Sequence, residues 1–169
     1  LNKFDLKVFK VEKIDTHGGS IRVYVSQSKE ILIDKSVKQF LDKEEKFGLK
    51  KISTYVEFGK TIEKLRINTI KNIKNIKMKY KKIIGYGAPA KATTLLNYFN
   101  IGNEIDFIIE DNELKHGKFV PGVNIKIVKK KKIEDKSNAI LVLAWNFFED
   151  IKKNNKDICD NFINIKSLE

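Results

Sequence analysis

Apolar and polar positions alternate over the first 26 residues of the chain. In "SIRVYVS", residues 20–26, the side chains of Ile21, Val23 and Val25 fall on one face of an extended segment. A period of two is typical of a half-buried β-strand, and "DLKVFKVE" has a similar pattern. Because the intervening "IDTHGG" contains turn residues, the pattern predicts an antiparallel strand pair.

A helical period follows the strand pair. Apolar residues recur every three or four positions between residues 28 and 47, and again between 53 and 79. This spacing places them on one face of a helix. We therefore expect two helices, the first ended by Gly48 and the second capped by Ser53 or Thr54.

Beyond residue 80, short apolar runs alternate with helical segments, which is the pattern of a parallel sheet. The run "AILVLAW" is the most apolar of them and is typical of a central strand buried on both faces. The pattern predicts an α/β fold, with a parallel sheet flanked by helices and preceded by the antiparallel pair and a long helical segment. The predicted strands cover residues 82–87, 105–110, 125–128, 139–145 and 162–165, and the predicted helices cover 89–99 and 147–156.

Length and composition favour one well-packed domain with appendages. The chain has 169 residues, of which 41% are hydrophobic and one is a cysteine. Because Cys159 has no partner for an internal disulfide, we expect a reducing, cytoplasmic setting and an inert thiol. No apolar run approaches the roughly 20 residues of a membrane span, so we expect no membrane partner. Since the chain begins at Leu1, we expect a fragment of a longer protein.

The formal net charge of +12 raises the question of nucleic-acid binding, because basic surfaces neutralise phosphates. Arg22 and Arg66 are the two arginines, however, and the other basic residues are lysines spread over the whole length. Base recognition relies on bidentate arginine, and the lysine run 129–132 is explained most simply as a solvated loop. We therefore expect no nucleic-acid partner, although a basic interaction module without catalysis stays an alternative.

The segment "GYGAPAK", residues 85–91, is the strongest candidate for a binding site. Gly85, Gly87 and Ala90 have the spacing G-x-G-x-x-[GA] between a predicted strand and a predicted helix. In that position glycines allow a tight turn and a close approach of backbone N–H groups to phosphate. Lys91 falls in the first helical turn, where the helix dipole disfavours a cation, so a bound anion would explain its presence.

The same turn allows a second interpretation. A nicotinamide dinucleotide site has an acidic residue about 20 positions after the turn, at the end of the next strand. Glu110 and Asp111 occupy that position. An NAD(P)-type dinucleotide-binding module therefore stays open as the alternative function.

Further residues outside this turn could contribute to a site. His17 could act as a base near neutral pH, and Arg22 and Tyr24 share one strand face, where they could contact one ligand. The loop at 110–122 is long for a plain connection and follows a parallel strand at the end where α/β sheets bind ligands. The candidates in this loop and at the end of the next buried strand are Asp111, Lys115, His116, Trp145 and Asn146.

Four blocks occur in order along the chain: "HGGSIRVYV", "GYGAPAKATTLLNYF", "EDNELKHGKFVPG" and "LVLAWN". Together they resemble the C-terminal domain of the S-adenosylmethionine-dependent sugar C-methyltransferases, enzymes that methylate a ring carbon of nucleotide-linked ketodeoxysugars. The resemblance covers nearly the whole chain. It departs from the family at Ala92, Leu114 and Ala144, where glycine, proline and proline are usual.

The resemblance implies a three-part enzyme with an N-terminal zinc-binding segment, a middle S-adenosylmethionine domain and a C-terminal Rossmann-like domain. The nucleotide-diphosphate sugar would lie between the last two. On this basis residues 1–27 correspond to the terminal strand pair of the middle domain, 28–80 to a helical linker and 81–169 to the Rossmann-like domain. The zinc and methyl-donor sites would lie outside this chain, which would pack against the missing methyltransferase domain and be inactive alone.

The resemblance also assigns roles to individual residues. His17 corresponds to the active-site histidine of the family, which is a candidate base. The turn at 85–91 would face the nucleotide part of the sugar substrate, and no residue of this chain is expected to bind a metal. The predicted substrate-binding residues are Arg22, Tyr24, Gly85, Tyr86, Gly87, Lys91, Asp111, Lys115 and Asn146.

Overall fold

The predicted antiparallel pair is present as β1 (Lys7–Ile14) and β2 (Ser20–Ser26). Val11 pairs with Val23 near the middle of the register. Gly19, whose φ is 122°, lets the connection turn back into β2 because glycine tolerates this region of backbone space. The strand pair of the prediction is thereby confirmed.

The apolar face of β2 is largely uncovered in this chain. Ile21, Val23 and Val25 are 53%, 43% and 41% exposed, whereas the alternating pattern predicted a half-buried face. Adjacent exposed apolar side chains of this kind mark a surface that another part of a protein can cover.

In the computed structural model the chain forms two compact units, Leu1–Lys60 and Thr61–Glu169. The strand pair belongs to the first unit. The lysine run that was predicted to be a solvated loop lies partly outside the described residues. The structure describes residues 1–28, 30–130 and 137–169, with the backbone alone for Asn2 and His17.

The first helix, α1 (Lys35–Phe47), is shorter than the pattern predicts. It begins where it does because the carboxylate of Asp34 accepts a hydrogen bond of 2.8 Å from the Ser36 amide, as an N-cap residue does. It ends as predicted, since Gly48 adopts the left-handed conformation with φ of 80°. The expected start at residue 28 is therefore wrong.

The second helix, α2 (Ile52–Lys79), confirms the long helical segment. It begins one residue before the predicted range, so Ser53 and Thr54 lie inside its first turn and neither is the cap. The Thr54 hydroxyl donates instead to the carbonyl of Gly48, 2.8 Å away, and so fastens the α1–α2 turn.

The described residues of the second unit form the strands β3 (Ile83–Tyr86), β4 (Ile108–Ile109), β5 (Ile127–Val128), β6 (Ala139–Val142) and β7 (Phe162–Asn164). They form one parallel sheet in the order β5–β4–β3–β6–β7. The predicted apolar runs contain every one of these strands, although the hydrogen-bonded segments are shorter than the runs. The central strand, β3, has β4 on one side and β6 on the other.

Helices cover both faces of this sheet. Helix α3 (Ala90–Phe99) follows β3, and α4 (Phe148–Asn154) follows β6. On one face, Ile83 packs with Leu96 of α3 and Ile73 of α2. On the other face, Ile140 packs with Ile151 of α4. This two-sided burial, about 1.5–3 kcal/mol for each large side chain, confirms the α/β, Rossmann-like class.

Two expectations from composition can be compared with the structure. Cys159 is buried, at 7% exposure, and packs among the apolar side chains on the α4 face, as predicted for an inert thiol. In the described part of the chain, no helix is both long and apolar enough to cross a membrane.

A substitution at Gly85 tests how closely the central strand packs against its neighbours. A Cβ at this position would lie 2.7 Å from Cγ1 of Ile108 and 3.1 Å from Cδ1 of Leu143. We expect Gly85→Ala to lower the free energy of unfolding by about 1–3 kcal/mol, because a packed core cannot accept an extra methyl without strain. Urea denaturation followed by circular dichroism measures the change.

The matched control is Gly59→Ala in α2. No heavy atom lies within 4 Å of a Cβ placed there. The added methyl should therefore leave stability unchanged or raise it by about 0.5–1 kcal/mol through helix propensity. Equal stability of the two variants would contradict the close packing assigned to Gly85.

Candidate functional site

The candidate site lies at the carboxyl edge of the parallel sheet, around the turn between β3 and α3. Gly87 in this turn has φ of +83°, and a Cβ there would lie 2.7 Å from Cβ of Ala144. Glycine satisfies both constraints because it has no Cβ. Its N–H donates to the carbonyl of Ile109, 2.8 Å away, so the turn continues the pairing of β3 with β4.

A carboxylate from the end of β4 occupies this turn. Oε2 of Glu110 accepts a hydrogen bond of 2.8 Å from the Ala88 amide, and Oε1 accepts one of 3.1 Å from the Asn112 amide. Nζ of Lys115 donates both to Oε2 of Glu110 and to the carbonyl of Ala88, each at 3.1 Å. The glycine turn therefore holds an internal anion that the sequence spacing did not reveal.

The surroundings of Glu110 favour its ionised form. Burial by itself raises the pKa of this carboxyl, whose side chain is 12% exposed. The hydrogen bonds from Ala88 and Asn112 and the interaction with Lys115 outweigh burial, and the net pKa lies below its ordinary value. The ionised carboxylate is thus a structural part of the turn.

Asp111, the next residue, belongs to a different network. Its two carboxylate oxygens lie 2.9 and 3.0 Å from the Tyr86 hydroxyl, which donates to them. That hydroxyl also lies 3.1 Å from Oδ1 of Asn155, whose Nδ2 donates to the carbonyl of Ile151 at 2.6 Å. Burial, and next the hydrogen bond to Asp111, raise the pKa of the Tyr86 phenol, so it stays a donor. Tyr86 holds the Asp111 carboxylate, and Asn155 contacts the same hydroxyl from another side.

A cavity of about 280 Å³ opens beside this network. Tyr86, Asp111 and the Glu110–Lys115 pair form its polar part, and Phe147 is among its apolar lining residues. The cavity lies where parallel sheets bind ligands, outside the carboxyl ends of the strands.

Lys91 lies on the other side of the turn. Its Nζ is 4.1 Å from the ring centre of Trp145, a cation–π distance, and Trp145 packs against the apolar cluster beneath α3. Burial, and next the charge of Lys166, lower the pKa of Lys91. Lys166 itself lies 3.9 Å from Glu169. Within the described ranges Lys91 has no carboxylate partner.

The second unit thus brings most of the predicted substrate-binding residues to one sheet edge, and their binding roles stay predictions. Gly85 is buried within β3, below the turn, and Asn146 is exposed in the short 3-10 helix Trp145–Phe147. His116 supports the long loop, since its Nε2 lies 2.7 Å from the carbonyl of Glu110. The residues at the turn or bordering the cavity are Tyr86, Gly87, Lys91, Asp111 and Lys115.

Two residues at this edge were not predicted. Asn155 is separated from Tyr86 by 69 positions in the sequence and lies in a polar stretch without any pattern. Phe147 follows the "AWN" segment. Its side chain is 62% exposed in the structure, which distinguishes it from a core residue, but the sequence alone does not show this exposure. A polar residue just after a short helix and an exposed aromatic residue after a buried strand are both common, so neither marks a site by itself.

Three predicted residues belong to the first unit. The Tyr24 hydroxyl donates to Oε2 of Glu12 at 2.7 Å, and Arg22 is the cross-strand partner of Glu12. The side chain of His17 lies outside the described part of the structure. The catalytic role of His17 and the binding roles of Arg22 and Tyr24 stay predictions.

The lowered pKa of Glu110 predicts a specific sensitivity to acid. A carboxyl with a lowered pKa in the folded state stabilises the fold fully above its unfolded pKa of about 4.3, and this contribution is lost as the pH falls through the folded pKa. We expect Glu110→Gln to be about 1–2 kcal/mol less stable than the parent protein at pH 7, with the difference shrinking below roughly pH 4. Urea unfolding across this pH range measures it.

Glu113→Gln serves as the control, because Glu113 is an exposed carboxylate of the same loop. It removes the same charge away from the turn and should change stability by less than about 0.5 kcal/mol. A difference between Glu110→Gln and the parent protein that does not vary with pH would contradict the role of the ionised carboxylate.

Comparison with known proteins identifies the family. Residues 15–164 match the family described as the C-methyltransferase C-terminal domain. The chain is 31% identical over 159 residues to the C-methyltransferase NovU of Streptomyces niveus, and the alignment covers 92% of this chain but 38% of NovU. The chain thus spans less than half the length of this relative. The resemblance inferred from the four sequence blocks is confirmed, and the chain belongs to the family of C-methyltransferase C-terminal domains.

Proposed function

We propose that this chain is the substrate-binding part of an S-adenosylmethionine-dependent C-methyltransferase acting on a nucleotide-diphosphate ketodeoxysugar. The observation that carries the proposal is Lys91, an ammonium in the first turn of α3 that lies on the Trp145 ring and has no carboxylate partner among the described residues. The helix dipole disfavours a cation at this position. A diphosphate would supply the negative charge that this arrangement lacks.

Carbon methylation explains why the sugar has to be held. A C–H group next to the sugar ketone gives its proton to a base, and the resulting enolate forms a bond to the methyl carbon while the carbon–sulfur bond of the sulfonium donor breaks. Transfer requires the reacting carbon to lie in line with the methyl group, so the substrate must be fixed in position. His17 is the proposed base, since an imidazole accepts a proton near neutral pH.

The methyl donor is proposed to bind to another domain of the intact enzyme. Most of the length of NovU lies outside its match to this chain. The exposed face of β2, with Ile21, Val23 and Val25, supports packing of the strand pair against such a domain. On this proposal residues 1–27 complete the methyltransferase domain, and the chain is inactive alone.

Zinc was implied by the resemblance for an N-terminal segment of the enzyme that lies outside this chain. The comparisons with known proteins give it no support. Over residues 1–28, 30–130 and 137–169, no group of three or more His, Cys, Asp and Glu side chains is placed to hold a metal ion.

An NAD(P)-type dinucleotide-binding module is the less favoured function. A dinucleotide site of this type needs an acidic residue at the end of β4 to bind the ribose hydroxyls. Glu110, one of the two candidates, instead accepts hydrogen bonds from the Ala88 amide and from Lys115. The family match also names a C-methyltransferase domain.

Calorimetric titration of this chain with a thymidine-diphosphate sugar tests the proposal. We expect the sugar nucleotide to bind and S-adenosylmethionine not to bind. Lys91→Met should weaken sugar-nucleotide binding about tenfold or more, as expected for the loss of a charge-assisted hydrogen bond. Lys74→Met is the matched control, because it removes the same charge from an exposed position on α2.

Two results would count against this proposal. Tight binding of S-adenosylmethionine to this chain would overturn the division between donor and substrate domains. Equal effects of Lys91→Met and Lys74→Met would remove Lys91 from the substrate site.

The role of His17 is tested in the intact enzyme. We expect His17→Gln to keep the affinity for the sugar nucleotide and to lower kcat by a factor on the order of 10²–10⁴, the range typical of a lost general base. Calorimetry measures the affinity and a methyl-transfer assay measures kcat. Unchanged turnover would exclude His17 as the base.

A further inference from the structure

The two sides of the glycine turn differ in charge. On the α3 side, Lys91 lies on an aromatic ring and has no carboxylate partner within the described residues. On the cavity side, the charged lining residues are Glu110, Asp111 and Lys115, and Lys115 is paired with Glu110. The cavity therefore has an excess of negative charge, while the opposite side of the turn has an excess of positive charge.

A phosphate group would find few donors in the cavity. The Gly87 N–H donates to the carbonyl of Ile109, the Ala88 N–H donates to Glu110, and Pro89 has no N–H at all. The carboxylate of Asp111 would repel an anion directly. An uncharged group would therefore fit the cavity better than a phosphate.

Asp111 attracts a group that donates hydrogen bonds. A carboxylate can accept about four hydrogen bonds. The Tyr86 hydroxyl has one proton to donate to it, so the carboxylate can accept further hydrogen bonds from a ligand. Because the hydroxyl of the buried Tyr86 holds the carboxylate, less conformational freedom is lost when a ligand binds. Hydroxyl and ring N–H groups are the donors that an uncharged ligand can offer.

The remaining walls of the cavity fit the flat face of a ring. Phe147 lines it and is 62% exposed, and Pro89 and Ile151 add further apolar surface. The volume of about 280 Å³ lies just below the range of typical ligand sites, about 300–1,000 Å³. A cavity of this size can hold a small group such as one nucleoside.

We propose that this cavity binds the nucleoside part of the substrate, with Asp111 accepting hydrogen bonds from its hydroxyl or base N–H groups and Phe147 contacting a ring face. The diphosphate then extends from the cavity over the glycine turn and contacts Lys91 on the α3 side. This inference rests on the proposed function, and it adds which part of the nucleotide sugar each side of the turn recognises.

Amide NMR spectra of the ¹⁵N-labelled chain test the assignment. Four probes are titrated separately: uridine, thymidine, inorganic pyrophosphate and a free 6-deoxyhexose. The nucleosides should shift the signals of Gly87, Asp111 and Phe147. Pyrophosphate should shift those of Lys91 and Trp145, including the indole N–H.

Variants add a quantitative control. Asp111→Asn should weaken nucleoside binding about tenfold, because a charged acceptor is lost while the Tyr86 hydroxyl keeps an oxygen to which it can donate. Asp106→Asn removes the same charge from an exposed position before β4 and should leave nucleoside affinity unchanged. Thermal unfolding of both variants shows whether the fold is retained.

The outcomes separate this inference from the proposed function. Pyrophosphate shifting the cavity signals, or the 6-deoxyhexose shifting them where both nucleosides do not, would overturn the inference. If a thymidine-diphosphate sugar binds while nucleosides leave the cavity signals unchanged, the inference fails and the proposed function stands. If the sugar nucleotide does not bind at all, the proposed function fails.

Discussion

The geometry of the candidate site depends on the carboxylate of Glu110. It joins the end of β4 to the β3–α3 turn by accepting hydrogen bonds from the Ala88 and Asn112 amides. Lys115 attaches the long loop to the same point, since it donates to Glu110 and to the Ala88 carbonyl. Removing one member of such a pair leaves a poorly solvated charge. The turn, the loop and the cavity wall therefore keep their positions together.

The main sheet could be predicted because strands buried on both faces appear in the sequence as short continuous apolar runs. Ile84 of β3 and Ile140 of β6 are almost completely buried, and both lie in continuous apolar runs. The start of α1 could not be predicted in the same way. It depends on the N-cap at Asp34, whose own N–H donates to the carbonyl of Phe9 in β1 at 2.8 Å, a contact between distant positions.

The position of the candidate site could be predicted from the sequence, but the side chains that occupy it could not. The spacing of Gly85, Gly87 and Ala90 located the turn, because a close strand-to-helix connection restricts the residues it can contain. What occupies the turn is determined by which strands are neighbours: Glu110 reaches Ala88 because β4 lies beside β3. Trp145 reaches Lys91 because β6 lies on the other side. No single-sequence pattern contains that strand order.

The contact between Lys91 and Trp145 has an optical consequence. Trp145 is the one tryptophan of the chain, and an ammonium lies 4.1 Å from its ring centre. Indole emission depends on the charges around the ring, and an arriving anion changes those charges by neutralising or displacing the ammonium. The single tryptophan of the chain is thus placed against the proposed anion site, and its indole emission can report occupancy without any added label.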